Sequence, residues 1–291
     1  MKYAYYPGCA AQGAAPELHQ STMQVVNRLG IEVVEMTNFN CCGAGVIGEA
    51  DPDLADLLNA RTLATAEGLG LGIMTICGTC QGVLGGSNRR LQQDESLRER
   101  INAHLFETTG LSYRGTVSVK HLQWILVKDF GIERLKPFIT RPLSDLAVAP
   151  FYGCYILRPS DATGFDDWEN PASLEKLIRA IGAQPVAYDG RTKCCGFPVF
   201  LEKEEIATGL VGKHVGEAKD NGAQVMVTPC PLCHMSLDMN QKRAETRINR
   251  PLGLPILHLP QMLGLAMGIA PDALGMPRHL TSTASLLPMI S

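Results

Sequence analysis

The sequence predicts an α/β protein of two pseudo-repeated domains, each a small parallel sheet with flanking helices and cysteine-bearing loops at the strand carboxyl ends. Three observations carry that prediction. All ten cysteines fall into one pattern written twice. Short β-rich runs alternate with helical periodicities in both halves, the mark of βαβ units and parallel sheets. The landmarks also recur in order, Tyr6-Pro7-Gly8-Cys9 answering Phe151-Tyr152-Gly153-Cys154.

The elements follow along the chain. Pro16 opens a helical run through Leu18, Val25 and Leu29, which Gly30 ends. A strand-like segment, Ile31–Met36, leads to Cys41-Cys42-Gly43. A helix over Asp51–Glu67 comes next, then the run Ile73–Ile76, which delivers Cys77-Gly78-Thr79-Cys80. Val119-Lys120-His121-Leu122 precedes another helix. In the second half, Asn170-Pro171 reads as N-cap and first helical residue, with Leu174, Leu177, Ile178 and Ile181 at helical spacing and Gly182 closing the run. Pro185–Tyr188 is the strand before Cys194-Cys195-Gly196, and Glu202–Asn221 the next helix. Val225–Thr228 delivers Cys230-Pro231-Leu232-Cys233, and Ile256-Leu257-His258-Leu259 precedes a helix. Pro137 and Pro142 punctuate the chain near Arg141–Ser144, which divides it into 1–142 and 143–291.

In parallel sheets, ligands gather at loops beyond the strand carboxyl ends. The fold therefore brings five sequence-distant thiols together at one edge of each half. The spacing from Cys42 to Cys77 equals that from Cys195 to Cys230, whereas the interval from lone cysteine to pair is eight residues longer in the second half, around Arg158–Asp167.

The chain of 291 residues is long enough for two ordinary domains, with 45% hydrophobic and 19% charged residues. Net charge is −3, and no basic stripe marks it for nucleic acid. MKYAYYPGCA lacks an apolar leader, so the expected setting is the cytoplasm, where repeated cysteines bind metal or react rather than form staples. The most apolar late stretch, Leu252–Ala270, holds Pro255, Pro260 and His258. It falls short of the roughly 20 uninterrupted apolar residues of a membrane helix, and reads as a buried strand and helix or as a docking surface.

Five thiols per half narrow the chemistry. Structural zinc takes four ligands, so one thiol would be spare. An iron–sulfur centre is ligated by thiolates, and an adjacent Cys-Cys pair suits gripping two different irons better than chelating one. Gly43 and Gly196 read as room for backbone to approach a bulky inorganic core. A redox dithiol at Cys77-x-x-Cys80 is less favoured because such motifs stand as isolated pairs, and ten matched cysteines are poorly explained as small core residues. His234, next to Cys233, reads first as a satisfied surface or core histidine and second as a donor to a cluster sulfur or substrate thiolate. His121 and His258 occupy matching places, and their duplication fits a structural role, such as closing the strand end, at least as well as a functional one. Arg89–Arg100 reads as a solvated charged helix, and Met235 and Met239 as core filler.

Two copies of Cys, Cys-Cys-Gly and Cys-x-x-Cys make a cysteine-rich CCG-domain signature, and over its whole length the chain resembles the B-type component of heterodisulfide reductase. The likeness extends to Tyr152-Gly153-Cys154, Arg158-Pro159-Ser160-Asp161, Gly164-Phe165-Asp166-Asp167, Glu169-Asn170-Pro171 and Val227–His234. The signature alone also occurs in lactate-utilisation proteins, glycolate oxidase iron–sulfur subunits and an unusual succinate dehydrogenase subunit. The resemblance implies two noncubane [4Fe-4S] clusters. One would be held by Cys9, Cys41, Cys42, Cys77 and Cys80, the other by Cys154, Cys194, Cys195, Cys230 and Cys233. It implies a ferredoxin-like iron–sulfur subunit and a flavin subunit as partners. The substrate it implies is a disulfide, as in methanogens, or a lipoate-bound sulfur species, as in sulfur oxidisers, with the chemistry at cluster irons. Phe197-Pro198-Val199-Phe200 departs from the glycine-rich run of methanogenic members.

Three functions fit these residues: an oxidoreductase subunit acting on a disulfide or sulfane-sulfur substrate, a pure electron-transfer subunit, and a zinc-stabilised interaction protein. No flavin fingerprint and no ferredoxin-type cysteine run is present, so electrons come from or go to another subunit. Any membrane association is through a partner.

Overall fold

The computed structural model describes residues 1–37, 39–160 and 164–289. Asp161 lies outside the described residues. The first half runs β1 (Lys2–Tyr6), α1 (Gly8–Gly13), α2 (Pro16–Leu29), β2 (Glu32–Glu35), α3 (Val46–Ala50), α4 (Pro52–Gly68), β3 (Ile73–Thr75), α5 (Gly78–Gln93), α6 (Glu95–Thr109) and β4 (Val119–His121). Next, α7 (Leu122–Trp124) continues through a π-helical stretch, Ile125–Gly131, into α8 (Ile132–Leu135). The second half runs β5 (Ala147–Pro150), α9 (Ser173–Ala180), β6 (Gln184–Pro185), α10 (Glu204–Asp220), β7 (Val225–Thr228), α11 (Pro231–Met239), α12 (Gln241–Ile248), β8 (Ile256–His258) and α13 (Leu259–Ala266).

Each half forms a four-stranded parallel sheet, ordered β2-β1-β3-β4 and β6-β5-β7-β8. The chain steps outward one way from the first strand of each half and back the other way to its third. The crevice between those two strands is the topological switch point, where parallel sheets bind ligands. β3 and β7 are buried throughout, as central parallel strands covered on both faces must be.

Successive strand residues point to opposite faces, and the core splits accordingly. Tyr5, Met74, Val148 and Val225 share one apolar cluster with α2, α9 and α13. Ala4, Ile73, Ala149 and Met226 share the other with α4 and α10. Both clusters draw residues from both halves of the chain.

Local signals behave as their chemistry requires. Pro16 begins α2, and Gly30 ends it in the left-handed region at φ 67°. Asp51 caps α4 by accepting from the Leu54 amide at 3.0 Å.

Four expectations need correction. Asn170 does not cap α9. Asp166 accepts from the Ala172 and Ser173 amides and Tyr152 Oη from the Leu174 amide, while Asn170 Oδ1 accepts from Arg191. The strand expected at Pro185–Tyr188 is only Gln184–Pro185, a short edge where a proline is tolerated. The charged run Arg89–Arg100 breaks at Asp94, which caps α6, and Arg90 reaches inward to the buried Asp56. Met239 is exposed rather than core filler. Of the two readings of Leu252–Ala270, the buried strand and helix holds: β8 and α13 are buried, and α13 packs on α2 of the first half.

Candidate metal centres

The first thiol of each set follows the first strand of its sheet, the pair follows the second, and Cys-x-x-Cys follows the third. Cys77 and Cys230 are the N-caps of α5 and α11. The Cys77 sulfur accepts from the Cys80 amide at 3.4 Å. This motif does start a helix, as a redox dithiol would, but it is not isolated. Cys9 Sγ lies 3.5 Å from Cys41 Sγ. Cys41 interacts with Cys42, Cys42 with Cys80, and Cys80 with Cys77. The second half repeats the order through Cys154, Cys194, Cys195, Cys233 and Cys230. Cys77 Sγ and Cys230 Sγ are 3.9 Å apart, so all ten sulfurs form one continuous run, symmetric about that contact.

The electrostatics of the adjacent pairs repeat as well. Hydrogen bonds from Cys42 and then Cys9 hold Cys41 down to about 2. Those from Cys154 and then Cys195 do the same to Cys194. Their neighbours Cys42 and Cys195 are pushed up to about 12, first by the hydrogen bond to the adjacent cysteine. Each set thus favours a thiolate at one matched place, and thiolate is the ligand form.

All ten thiols are free. Six of them are buried: Cys42, Cys77, Cys80, Cys195, Cys230 and Cys233. Five crowded soft donors per set fit a group of several irons, because buried thiolates need cations among them. Zinc would use four.

One sequence reading changes. A Cβ at Gly196 would meet the Ala207 backbone of α10 at 2.9 Å, so Gly196 makes room for that helix, whereas one at Gly43 would meet Ile47 at an ordinary 3.4 Å. The glycines that face sulfur are Gly8 and Gly153. A Cβ there would lie 3.2 Å from Cys80 Sγ and 2.7 Å from Cys233 Sγ.

His234 faces away from the thiols. Its Nε2 lies 3.0 Å from the Ile256 carbonyl and 3.2 Å from His279 Nδ1, and its ring stacks on His258. Burial pushes its imidazole well down, which leaves it a neutral structural group. In the first half Gln81 makes the matching contact, donating to the Val119 carbonyl at 3.1 Å. His121 does close its strand end, with Nδ1 accepting from the Gln123 amide and Nε2 bound to the Pro229 carbonyl at 3.0 Å. His258 differs, because Pro260 lacks the amide that Gln123 offers. Its Nδ1 finds no partner among the described residues, and its Nε2 faces Glu17 at 3.2 Å.

Sequence reasoning missed three residues beside the thiols. Thr79 Oγ1 lies 3.3 Å from Cys230 Sγ. His214 Nε2 lies 3.1 Å from the Cys194 carbonyl. Tyr155 lines two cavities, about 480 Å³ beside Gly43–Gly45 and about 390 Å³ beside Cys154, Cys195, Cys230 and Cys233. Of the three, only Thr79 carried a signal, its place inside Cys-x-x-Cys. Phe197, Pro198, Phe200 and Leu201 wall the second cavity.

The cysteine-rich CCG domain family matches residues 3–85 and 148–238. The 8-methylmenaquinol:fumarate reductase membrane anchor subunit of Wolinella succinogenes is 36% identical over 98% of this chain and 99% of its own length. The B-type component of the ferredoxin/F(420)H(2)-dependent CoB-CoM heterodisulfide reductase of Methanosarcina acetivorans is 31% identical over 99% of this chain and 97% of its own. Among solved structures, a hypothetical protein from Helicobacter pylori shares the fold, with a TM-score of 0.75 at 16% identity. That match covers 97% of this chain, which spans 52% of the other. No helix among the described residues is long and apolar enough to cross a membrane. With both copies of the motif matched and full-length relatives above 30% identity, the chain belongs to the cysteine-rich CCG domain family, in the group of the heterodisulfide reductase B-type components.

Proposed function

We propose that this chain is the iron–sulfur subunit of a reductase complex, carrying two [4Fe-4S] clusters of noncubane type and acting on a disulfide or sulfane-sulfur substrate. The observation that carries the reading is the convergence of two matched five-thiol sets, touching through Cys77 and Cys230. Cys9, Cys41, Cys42, Cys77 and Cys80 would hold one cluster, and Cys154, Cys194, Cys195, Cys230 and Cys233 the other. Such clusters supply one-electron storage, and sulfur chemistry where an iron has an open position.

The protein's part is to bind and align the site. Cys41 and Cys194 offer thiolates. Ile156 and Leu232 line the second cavity beside Cys230 and Cys233. The apolar wall Phe197–Leu201 would select a substrate that presents sulfur on an apolar arm. Each half would act as one domain, 1–142 and 143–291. Electrons would pass through a ferredoxin-like iron–sulfur partner and a flavin partner, with any membrane contact made by a partner.

Anaerobic purification with metal analysis tests the reading. About four irons are expected per set, and markedly fewer sinks it.

A second reading, a pure electron-transfer subunit, draws on the Wolinella relative, named as an anchor subunit of a fumarate reductase. EPR of the reduced protein with added thiols separates the two. A thiol-dependent signal supports substrate chemistry, and an unchanged spectrum supports the relay.

A further inference from the structure

The two thiol sets are matched in sequence but not in their hydrogen bonds. Thr79, inside the first Cys-x-x-Cys, places Oγ1 3.3 Å from the sulfur of Cys230, a residue of the other half. The side chains of Thr79 and Cys230 are both buried. Gly78 makes the approach possible: its amide donates to the Pro229 carbonyl at 3.1 Å, and a Cβ there would crowd Ile156 and Cys230. The position answering Thr79 in the second copy is Leu232, which has no hydroxyl to return to Cys77. The pseudo-symmetry is broken by one polar atom at the contact between the sets.

A metal-ligating Cys230 is a thiolate and has no proton to give, so the hydroxyl must donate. A hydrogen bond to a ligand sulfur favours the more negative, reduced state of the centre, and such bonds are among the determinants of iron–sulfur potentials. We infer that Thr79 is a positioning residue that raises the reduction potential of the second centre by donating to its ligand sulfur. The inference rests on the reading that both sets hold iron–sulfur clusters. The second set is also the one whose thiols border the apolar cavity, so the centre favoured by Thr79 lies on the side open to a sulfur substrate.

The test is an EPR-monitored redox titration of the anaerobically purified protein in its complex, as wild type, Thr79→Val and Thr79→Ser. Iron is measured on each sample. Thr79→Val keeps the side-chain volume and removes the donor. It is expected to lower one midpoint potential by about tenfold in the reduction equilibrium, ~59 mV for one electron, at unchanged iron content. Thr79→Ser restores it. The centre that moves should be the one lost in Cys154→Ser. Iron-loaded Thr79→Val with both potentials unchanged overturns the inference alone. Equal disturbance of both centres by Val and Ser also overturns it, since a merely structural role would act that way. Absence of iron from the wild type overturns the cluster reading itself.

Discussion

Cys77 and Cys230, one from each half of the repeat, bring their sulfurs to 3.9 Å inside the protein, while Cys9 and Cys41 stand 3.5 Å apart at its surface. Distance alone would let both pairs oxidise, so accessibility decides. In iron-stripped protein treated briefly with diamide, the Cys9–Cys41 disulfide is expected first and the Cys77–Cys230 disulfide only after unfolding. Peptide mapping by mass spectrometry reads the order, and early Cys77–Cys230 bridging would contradict the buried placement.

Gly8 and Gly153 each hold a positive φ, 76° and 73°, with a cysteine sulfur over the missing Cβ. Alanine would meet about 1–2 kcal/mol of left-handed strain and a further ~1–3 kcal/mol of crowding. Gly153→Ala should be the worse, since its Cβ comes to 2.7 Å from Cys233 against 3.2 Å from Cys80 for Gly8→Ala. Both variants should bind less iron, each at its own set, with a lower unfolding temperature. Full iron in Gly153→Ala would refute the argument.

Gly43 and Gly196 make an internal comparison. Both sit at positive φ, 77° and 90°, so backbone strain largely cancels between them. What differs is packing: Gly196 lies against the backbone of Ala207, whereas Gly43 meets only the side chains of Ile47 and Ala55 at ordinary distance. Gly196→Ala should destabilise by ~1–3 kcal/mol more than Gly43→Ala. Thermal unfolding of the two variants checks the difference, and equal loss would dismiss the helix-contact account.

Burial pushes the His121 imidazole down to about 4 from its ordinary 6.5, opposed by its bond to the Pro229 carbonyl. Between those values the folded residue stays neutral while the unfolded chain takes up a proton. The unfolded state therefore binds more protons, and stability rises with pH across the window. Stability should be lost as pH falls from about 6.5 to about 4, by up to ~3 kcal/mol from this residue at about 1.36 kcal/mol per pKa unit. His121→Gln should flatten that slope in denaturant titrations at matched iron content, and an unchanged slope would remove His121 as its source.

Much of this was legible in the chain. Parallel sheets, the helices at Pro16 and Asp51 and the strands at Ile73 and Val225 follow from periodicity and capping, which are local. The missed features have non-local causes. The cap of α9 comes from Asp166 and Tyr152, several residues away. His234 draws notice in the sequence for its neighbour Cys233, but a side chain on a helix points where the helix face points. Here that is toward Ile256 and His279, the latter beyond both motif copies.

The sequence by itself determined the two five-cysteine sets, their repeat and their place at strand carboxyl ends, because spacing and strand order depend on the chain alone. Only the tertiary structure decided that the sets meet, that Thr79 serves the other half's Cys230, and that Gly8 and Gly153 rather than Gly43 and Gly196 make room for sulfur. The physical reason is that each of these is a close approach between segments far apart in the chain, and the shared core of the two halves sets those distances.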